Sequence, residues 1–424
     1  MSHGGKFLLA ATAAIGMLAV SACGGAALAS EQAQHHSQAQ TVAAVASPPP
    51  AVFTPVTVTA LGPSPAPTPG TDGQYHLVYE YQLTNTKIAP ATIESATVLD
   101  AGGSGRVLAT WSGQALIGQL RTLLPAPATS AVIEPDVSRL LFIELSFPSR
   151  SAVPAAVTLD LHLLGAANPG ATTATPLQYT VGRVAISQAP LPVISPPLAG
   201  SGWMAGNGCC NNQIAHRGSF QSLNGALDDS QRFAIDYLRL NSSGELVAGD
   251  PNVVTNYADY GADILAVANA TVVSVQNDLP DQPPGQLPNP DSFKTVEEVD
   301  GNEVTLSLGH GLYAFYAHMI KGSITVRPGQ HVHVGQVIGH LGNSGNTSAP
   351  HLHFQIMDAP SALAAEGLPY VMNTFGLAGQ VDVAAWNASS EITGVWAAGW
   401  TKNPVSAENR RFPLNLNVVD FPSR

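Results

Sequence analysis

The chain has 424 residues, enough for two or three domains of ordinary size. Seventeen Lys and Arg against 29 Asp and Glu give a formal charge of −12, which excludes a nucleic-acid partner that needs a basic face. Only 11% of residues are charged and 45% are apolar, while 40 Gly without a period of three and 33 Pro supply many turns; this is the composition of a β-rich chain with a sizeable core, not of a helical bundle or a collagen.

In chain order, Lys6 precedes an apolar run, Phe7–Val20, followed by small residues. The run is too short to span a bilayer and fits the core of an export signal, expected over residues 1–29. It ends in Val20-Ser21-Ala22-Cys23, which resembles the bacterial lipobox, whose cysteine is diacylated. Cys23 is then the lipidation site, and the protein a membrane-anchored lipoprotein facing the periplasm or the cell exterior. Ordinary secretion, with cleavage after Ala27-Leu28-Ala29, is the alternative. Residues 30–52 are Ala, Gln, Ser, His and Pro, and read as a disordered tether.

Residues 53–187 change character. Alternating runs recur at Phe53–Ala60, His76–Leu83, Thr92–Leu99, Arg106–Trp111, Ser138–Phe147, Val157–Leu164 and Gln178–Ile186, separated by Gly, Pro and Asn. This pattern predicts a β-sandwich without a chemical constellation of its own; His76 and His162 are isolated and expected on strand surfaces. Residues 188–200, QAPLPVISPPLAG, hold four prolines and read as a semi-rigid linker. Further strands are expected at Leu238–Leu246, Ile264–Gln276, Glu303–Leu308, Leu312–Ala317, Ile324–Val326 and Leu414–Val419, with a Pro-rich surface loop at 277–290. Trp386, Trp396 and Trp400 are expected in the core. No internal repeat is present.

Chemistry concentrates in Gly335–Ile356, GQVIGHLGNSGNTSAPHLHFQI. On a strand, His351, His353 and Gln355 share one face while Leu352, Phe354 and Ile356 enter the core. Two imidazoles side by side suit a Zn²⁺ site; two surface histidines are the plainer alternative. The GNSGNTSAP loop before them is rich in residues that permit unusual backbone angles, so Asn343, Ser344 and Asn346 are candidate substrate contacts. Tyr316-Ala317-His318-Met319 ends another alternating strand, and Phe233–Tyr237 places Asp236 in an otherwise apolar one. A buried lone carboxylate is costly unless a cation or a hydrogen-bonding strand edge meets it.

Together the GxxIGxxGNSGNTSxPHLHFQI stretch, the YAHM strand and the AID strand resemble the LytM/lysostaphin-type zinc metallopeptidases, the M23 peptidase family, over roughly residues 215–360 of 424. The resemblance implies a groove-shaped antiparallel β-sheet in a peptidase domain at 201–424 with a C-terminal extension, and a zinc cofactor. It implies hydrolysis of peptides in peptidoglycan stems or cross-links by a zinc-activated water. Asp236 and His353 become metal ligands, and His318 and His351 the catalytic pair acting on water and transition state. The alternative function is a catalytically inactive binding protein or activator of cell-wall hydrolases; a second is a peptidase for Gly-rich proteins. Beyond peptidoglycan peptides and the membrane, a cell-wall protein partner is expected for the β-sandwich.

One position departs from the family pattern. The family's first ligand lies four residues before the Asp, where this chain has Arg232, which stays protonated and cannot ligate zinc. Either His216, twenty residues before Asp236, turns back to supply the ligand, or the metal site is broken; the survival of Asp236, His318, His351 and His353 favours the first. The second HxH, His331-Val332-His333, and His310 read as surface; His340 lies near the HLH loop without a mechanism. Adjacent Cys209 and Cys210 suit a vicinal disulfide, a bond to another chain, or, least, zinc ligation.

Overall fold

The computed structural model describes residues 51–423 except 125, 213 and 389–399; the expected export signal, Cys23, the tether up to residue 50 and Trp396 lie outside the described residues. Among the described residues no helix is long and apolar enough to cross a membrane.

The first half is built from β1 (Val56–Leu61), β2 (Tyr75–Asn85), β3 (Ala91–Asp100), β4 (Val107–Ser112), β5 (Ser138–Phe147), β6 (Ala156–Gly165) and β7 (Thr175–Ala185). They form two antiparallel five-stranded sheets, β1–β2–β5 and β7–β6–β3–β4, each completed by two-residue strands. Strand β6 shows why: Val157, Leu159, Leu161 and Leu163 are buried, while Thr158, Asp160 and His162 between them are not. The buried sides of both sheets meet in one core. Strand β2 breaks the alternation, being buried continuously from His76 to Tyr81. Its odd-numbered residues Leu77, Tyr79, Tyr81 and Leu83 enter the sandwich core. Of its even-numbered ones, Val78 joins the core of the second half, so that half covers the other face of β2. His76 is accordingly buried, within 3.2 Å of Asp72 and 3.5 Å of Glu144, and not on a strand surface.

The second half is built around an eleven-stranded sheet containing β8 (Gly200–Gly206), β9 (Ile235–Arg239), β10 (Ala270–Gln276), β11 (Asn302–Gly309), β12 (Leu312–Met319), β13 (Leu352–Met357), β14 (Phe375–Val381), β15 (Trp400–Glu408) and β16 (Asn417–Phe421). Their order is β10–β11–β12–β13–β9–β8–β16–β14–β15. The extension after residue 361 thus continues the sheet beyond β8, and Trp386 and Trp400 pack on its Met204, Val381 and Val418. The Pro-rich 188–200 stretch buries Ile194 and Leu198, and Val193–Ile194 pairs with Val371–Met372.

Four expected strands are redrawn. The strand expected at 238–246 lies at Ile235–Arg239, because Asn241 Oδ1 accepts from the amides of Ser243 and Glu245 and turns the chain. The 264–276 run splits into Asp263–Leu265 and β10. Residues 324–326 bury Ile324 and Val326 without forming a strand. The last strand starts at Asn417 because Leu416 sits at φ +63°, outside the extended region.

Candidate metal centre

Three neighbouring strands, β12, β13 and β9, build the site. Register places Asp236 of β9 opposite His353 of β13, and His353 opposite Ala317 of β12. Cross-strand partners hold their Cβ atoms about 4.5–5.5 Å apart, so pairing brings Asp236 and His353 together beside Ala317, while the residue after Ala317 would face the other side of a regular strand. That residue, His318, sits at φ +64°, an uncommon conformation for a side chain of its size. It is held there by its Nδ1, 2.7 Å from Ser344 O, and by its own carbonyl, which accepts from the Gly342 amide.

His216 arrives from elsewhere, on a 3-10 turn, His216–Gly218. Its Nδ1 donates to Ala234 O at 3.1 Å, and its Nε2 lies 3.2 Å from Asp236 Oδ2. The structure therefore brings His216, Asp236 and His353 together, all buried, with candidate ligand atoms within 4.8 Å of one another. His351 Nε2 is 3.4 Å from Asp236 Oδ1, and the His318 and His351 rings are 4.6 Å apart.

The donor set fits a cation. His216 donates from Nδ1 to Ala234 O, so in the neutral form that ligates a metal its Nε2 lone pair faces Asp236. His353 Nε2 is 3.0 Å from Gln355 Oε1; the Gln355 amide nitrogen donates to Met357 Sδ, which fixes that oxygen as the acceptor. His353 Nδ1 then presents its lone pair to Asp236 Oδ1 at 3.0 Å. Lone pairs facing a carboxylate at this range repel unless protons or a cation stand between them. These separations suit a tetrahedral zinc site, whose ligand–ligand edge is about 3.3 Å for Zn–N bonds of about 2.0–2.1 Å. Outer hydrogen bonds that orient both imidazoles are what a ligating histidine needs.

The groups polarise one another. Burial opposes charge on Asp236, yet His216 and His351 outweigh it and hold the carboxyl well below the usual carboxylate range. Burial also opposes charge on His351, but Asp236 prevails and pushes it up to about 9. His318 goes the other way: burial, with His351 and His353 nearby, holds it well below the usual imidazole range.

Of the loop residues, Asn343 and Ser344 are fully buried, which corrects their reading as substrate contacts. Asn343 donates to Gln282 O and accepts from Thr347; Ser344 donates to Met319 O and accepts from the Asn302 amide. Their side chains are consumed in building the loop that holds His318, and only Asn346 of the three is exposed. Cys209 and Cys210 are joined to each other by a disulfide, which removes both sulfurs as zinc ligands. His310, His331 and His333 are exposed, and His340 is half-exposed, 3.2 Å from Asp263.

Two features escaped the sequence. Asn207 donates to Asp236 Oδ2 at 2.8 Å, and nothing in GNGCCNN marks it. Arg232 points into a buried ion cluster, with Nε 2.9 Å from Glu80 Oε2 of β2, Nη1 2.8 Å from Glu366 and Nε 3.3 Å from Asp229. The signal for Glu80 was a lone acid in the apolar run Leu77–Tyr81, the same signal that singled out Asp236.

Residues 253–364 match the family model described as Peptidase family M23; His318, His351 and His353 fall inside the match, His216 and Asp236 before it. The chain is 28% identical over 127 residues to lysostaphin of Staphylococcus simulans, covering 28% of this chain and 23% of that protein. It is 43% identical over 58 residues to glycyl-glycine endopeptidase ALE-1 of Staphylococcus capitis, covering 13% of this chain and 16% of that one. The chain thus spans about a quarter or less of the length of the curated relatives it matches. The solved catalytic domain of lysostaphin from Staphylococcus simulans aligns at 21% identity over 39% of this chain and 88% of that one, with a TM-score of 0.22. By sequence, the second half of this chain thus contains a segment, residues 253–364, that is similar to the M23 peptidase family.

Proposed function

We propose that this chain is a zinc-dependent endopeptidase that hydrolyses peptide bonds in peptidoglycan stems or cross-links. The observation that supports it most is the convergence of His216 with Asp236 and His353, because it supplies the ligand that Arg232 cannot. In this reading His216, Asp236 and His353 hold the zinc. Bound there, zinc supplies Lewis acidity, lowering the pKa of water to about 7 and polarising the scissile carbonyl.

The two remaining histidines divide the proton work. His318 gives its Nδ1 proton to Ser344 O, so a neutral ring keeps an Nε2 lone pair as general base for the attacking water. His351 gives its Nδ1 proton to Ala349 O at 2.8 Å, and its Nε2–H, favoured by Asp236, is the donor for the developing oxyanion. Imidazoles whose environments push them in opposite directions suit an acid–base pair. Export, with a lipid on Cys23 or by plain secretion, completes the proposal and rests on residues 1–29.

Zinc stoichiometry of the full chain beside His216→Ala tests the centre, and digestion of purified sacculi beside glycine-rich peptides tests the substrate. One zinc per chain, lost in the variant, with release of wall fragments is the expected result. A wild-type chain that takes up no zinc overturns the enzyme reading and leaves a binding or activating role.

A further inference from the structure

We infer that Glu80, a residue of the sandwich half, is a positioning residue for the metal centre, so the site depends on the sandwich. This rests on the zinc reading above and deepens it. Glu80 is 0% exposed, and its two oxygens are divided between two arginines: Oε1 accepts from Arg217 Nη1, and Oε2 accepts from Arg232 Nε at 2.9 Å and lies 2.8 Å from its Nη2. Both arginines belong to the segments that deliver metal ligands. Arg217 follows His216 in the same 3-10 turn, and Arg232 lies four residues before Asp236.

Arg217 is anchored almost wholly on the sandwich. Its Nη2 donates to Ile143 O at 3.0 Å and Tyr79 O at 3.4 Å, and its guanidinium lies 4.8 Å from the centre of the Phe142 ring. The turn carrying His216 is therefore tied on one side to β2 and β5 of the sandwich, and on the other to the metal centre through Ala234 O. The segment Phe220–Asp229 between the two arginines is a short hairpin whose Phe220 and Leu227 pack on Leu140 and Phe142 of β5, so apolar contacts dock it on the sandwich while the ion contacts fix the turn itself.

The cluster is expensive to bury. Glu80, Asp229 and Glu366 share Arg217 and Arg232, and all five are buried. A buried ion cluster adds little net stability over an apolar replacement, and its best-attested benefit is a fixed register. Here the register being fixed is that of His216 against Asp236. Outer residues that orient ligands are typically worth about 10–100-fold in metal affinity.

The test uses the full chain and zinc itself. Wild type, Glu80→Gln, Glu80→Asp and Val78→Ala are compared for zinc affinity by chelator competition, for the visible spectrum of the Co²⁺-loaded protein, and for cooperative unfolding without metal. Glu80→Asp keeps the charge, but its shorter arm cannot bridge both arginines, so it carries the test if Glu80→Gln does not fold. Val78→Ala weakens the same face of β2 without touching the arginines. We expect about 10–100-fold weaker zinc binding and an altered Co²⁺ spectrum in the Glu80 variants, with Val78→Ala like wild type. Wild-type affinity and spectrum in the Glu80 variants overturn the positioning role while the zinc reading stands. Equal losses in Val78→Ala and Glu80→Asp overturn it too, since any loosening of the docking face then suffices. A wild type that binds no zinc overturns both.

Discussion

Arg232→His restores the residue type that the family pattern places four residues before Asp236, and it is expected to damage the protein without adding a ligand. Arg232 is not turned toward the metal centre; its guanidinium is surrounded by Glu80 at 2.8 Å, Glu366 at 2.8 Å and Asp229 at 3.3 Å. Removing one partner from a buried ion cluster costs about 3–5 kcal/mol. Arg217 still meets Glu80, but Glu366 loses its only ion pair among the described residues. The cost has a pH signature. Burial already raises Asp229 to about 6, and loss of a neighbouring cation raises it further. A carboxyl with a raised folded-state pKa stabilises the fold at low pH and loses that contribution as pH rises through the folded value. The variant's deficit should therefore grow above pH 6, and a histidine at 232, charged only at low pH, reinforces the trend. Urea unfolding of the full chain at pH 5.5 and 8 measures the deficit, and zinc content of Arg232→His/His216→Ala tests ligation. Stability equal to wild type at pH 8, or zinc held by the double variant at wild-type affinity, refutes the reasoning.

His318→Ala and His351→Ala should each keep zinc and lose about 100- to 10,000-fold in hydrolysis of wall peptides, since neither is among the three ligating residues; loss of zinc from either, by elemental analysis, contradicts the division of roles. Asp259 is buried with Oδ1 free of hydrogen-bond partners among the described residues, and burial pushes it up to about 7. Its folded value exceeds its unfolded one, so stability is lost as pH rises from about 4 to 7. Asp259→Asn should flatten that slope and stabilise the chain at pH 8 by up to about 4 kcal/mol, read from urea midpoints across pH. Cys209→Ser/Cys210→Ser should retain one zinc per chain, because the paired sulfurs are not ligands; loss of zinc with the fold intact would return them to the ligand set.

Much of this fold was legible because a half-buried strand advertises its period. Val157–Leu164 was read within one residue at each end because it buries one face and exposes the other, and Ser138–Phe147 was read to the residue although Leu140–Ile143 are buried on both faces. Errors arose where a local side-chain bond or a single backbone angle outranked the apolar pattern. Asn241 turned a predicted strand, and Leu416 at φ +63° delayed another. The burial of His76 was hidden for a different reason. A strand covered on both faces has no alternation, and what covers the second face of β2 comes from more than a hundred residues away.

The metal centre divides along the same line. Asp236 and His353 lie on adjacent paired strands, with His351 just before one of them, so one motif and the rule of period two locate these three together, whereas His318 reaches them through its left-handed backbone at φ +64°. His216 required only the premise that a lone buried carboxylate needs a compensating charge and that a polar Gly-containing segment can return the chain to it. Arg232 required more. It reads locally as a defect, a cation where a ligand belongs, and it becomes intelligible only beside Glu80, a residue 152 positions earlier whose own isolation in an apolar strand was the matching signal. Two isolated charges of opposite sign in buried surroundings are each costly alone and much less so together. Pairing such residues across a chain, before assigning either one a defect, would have joined the sandwich to the metal centre from the sequence.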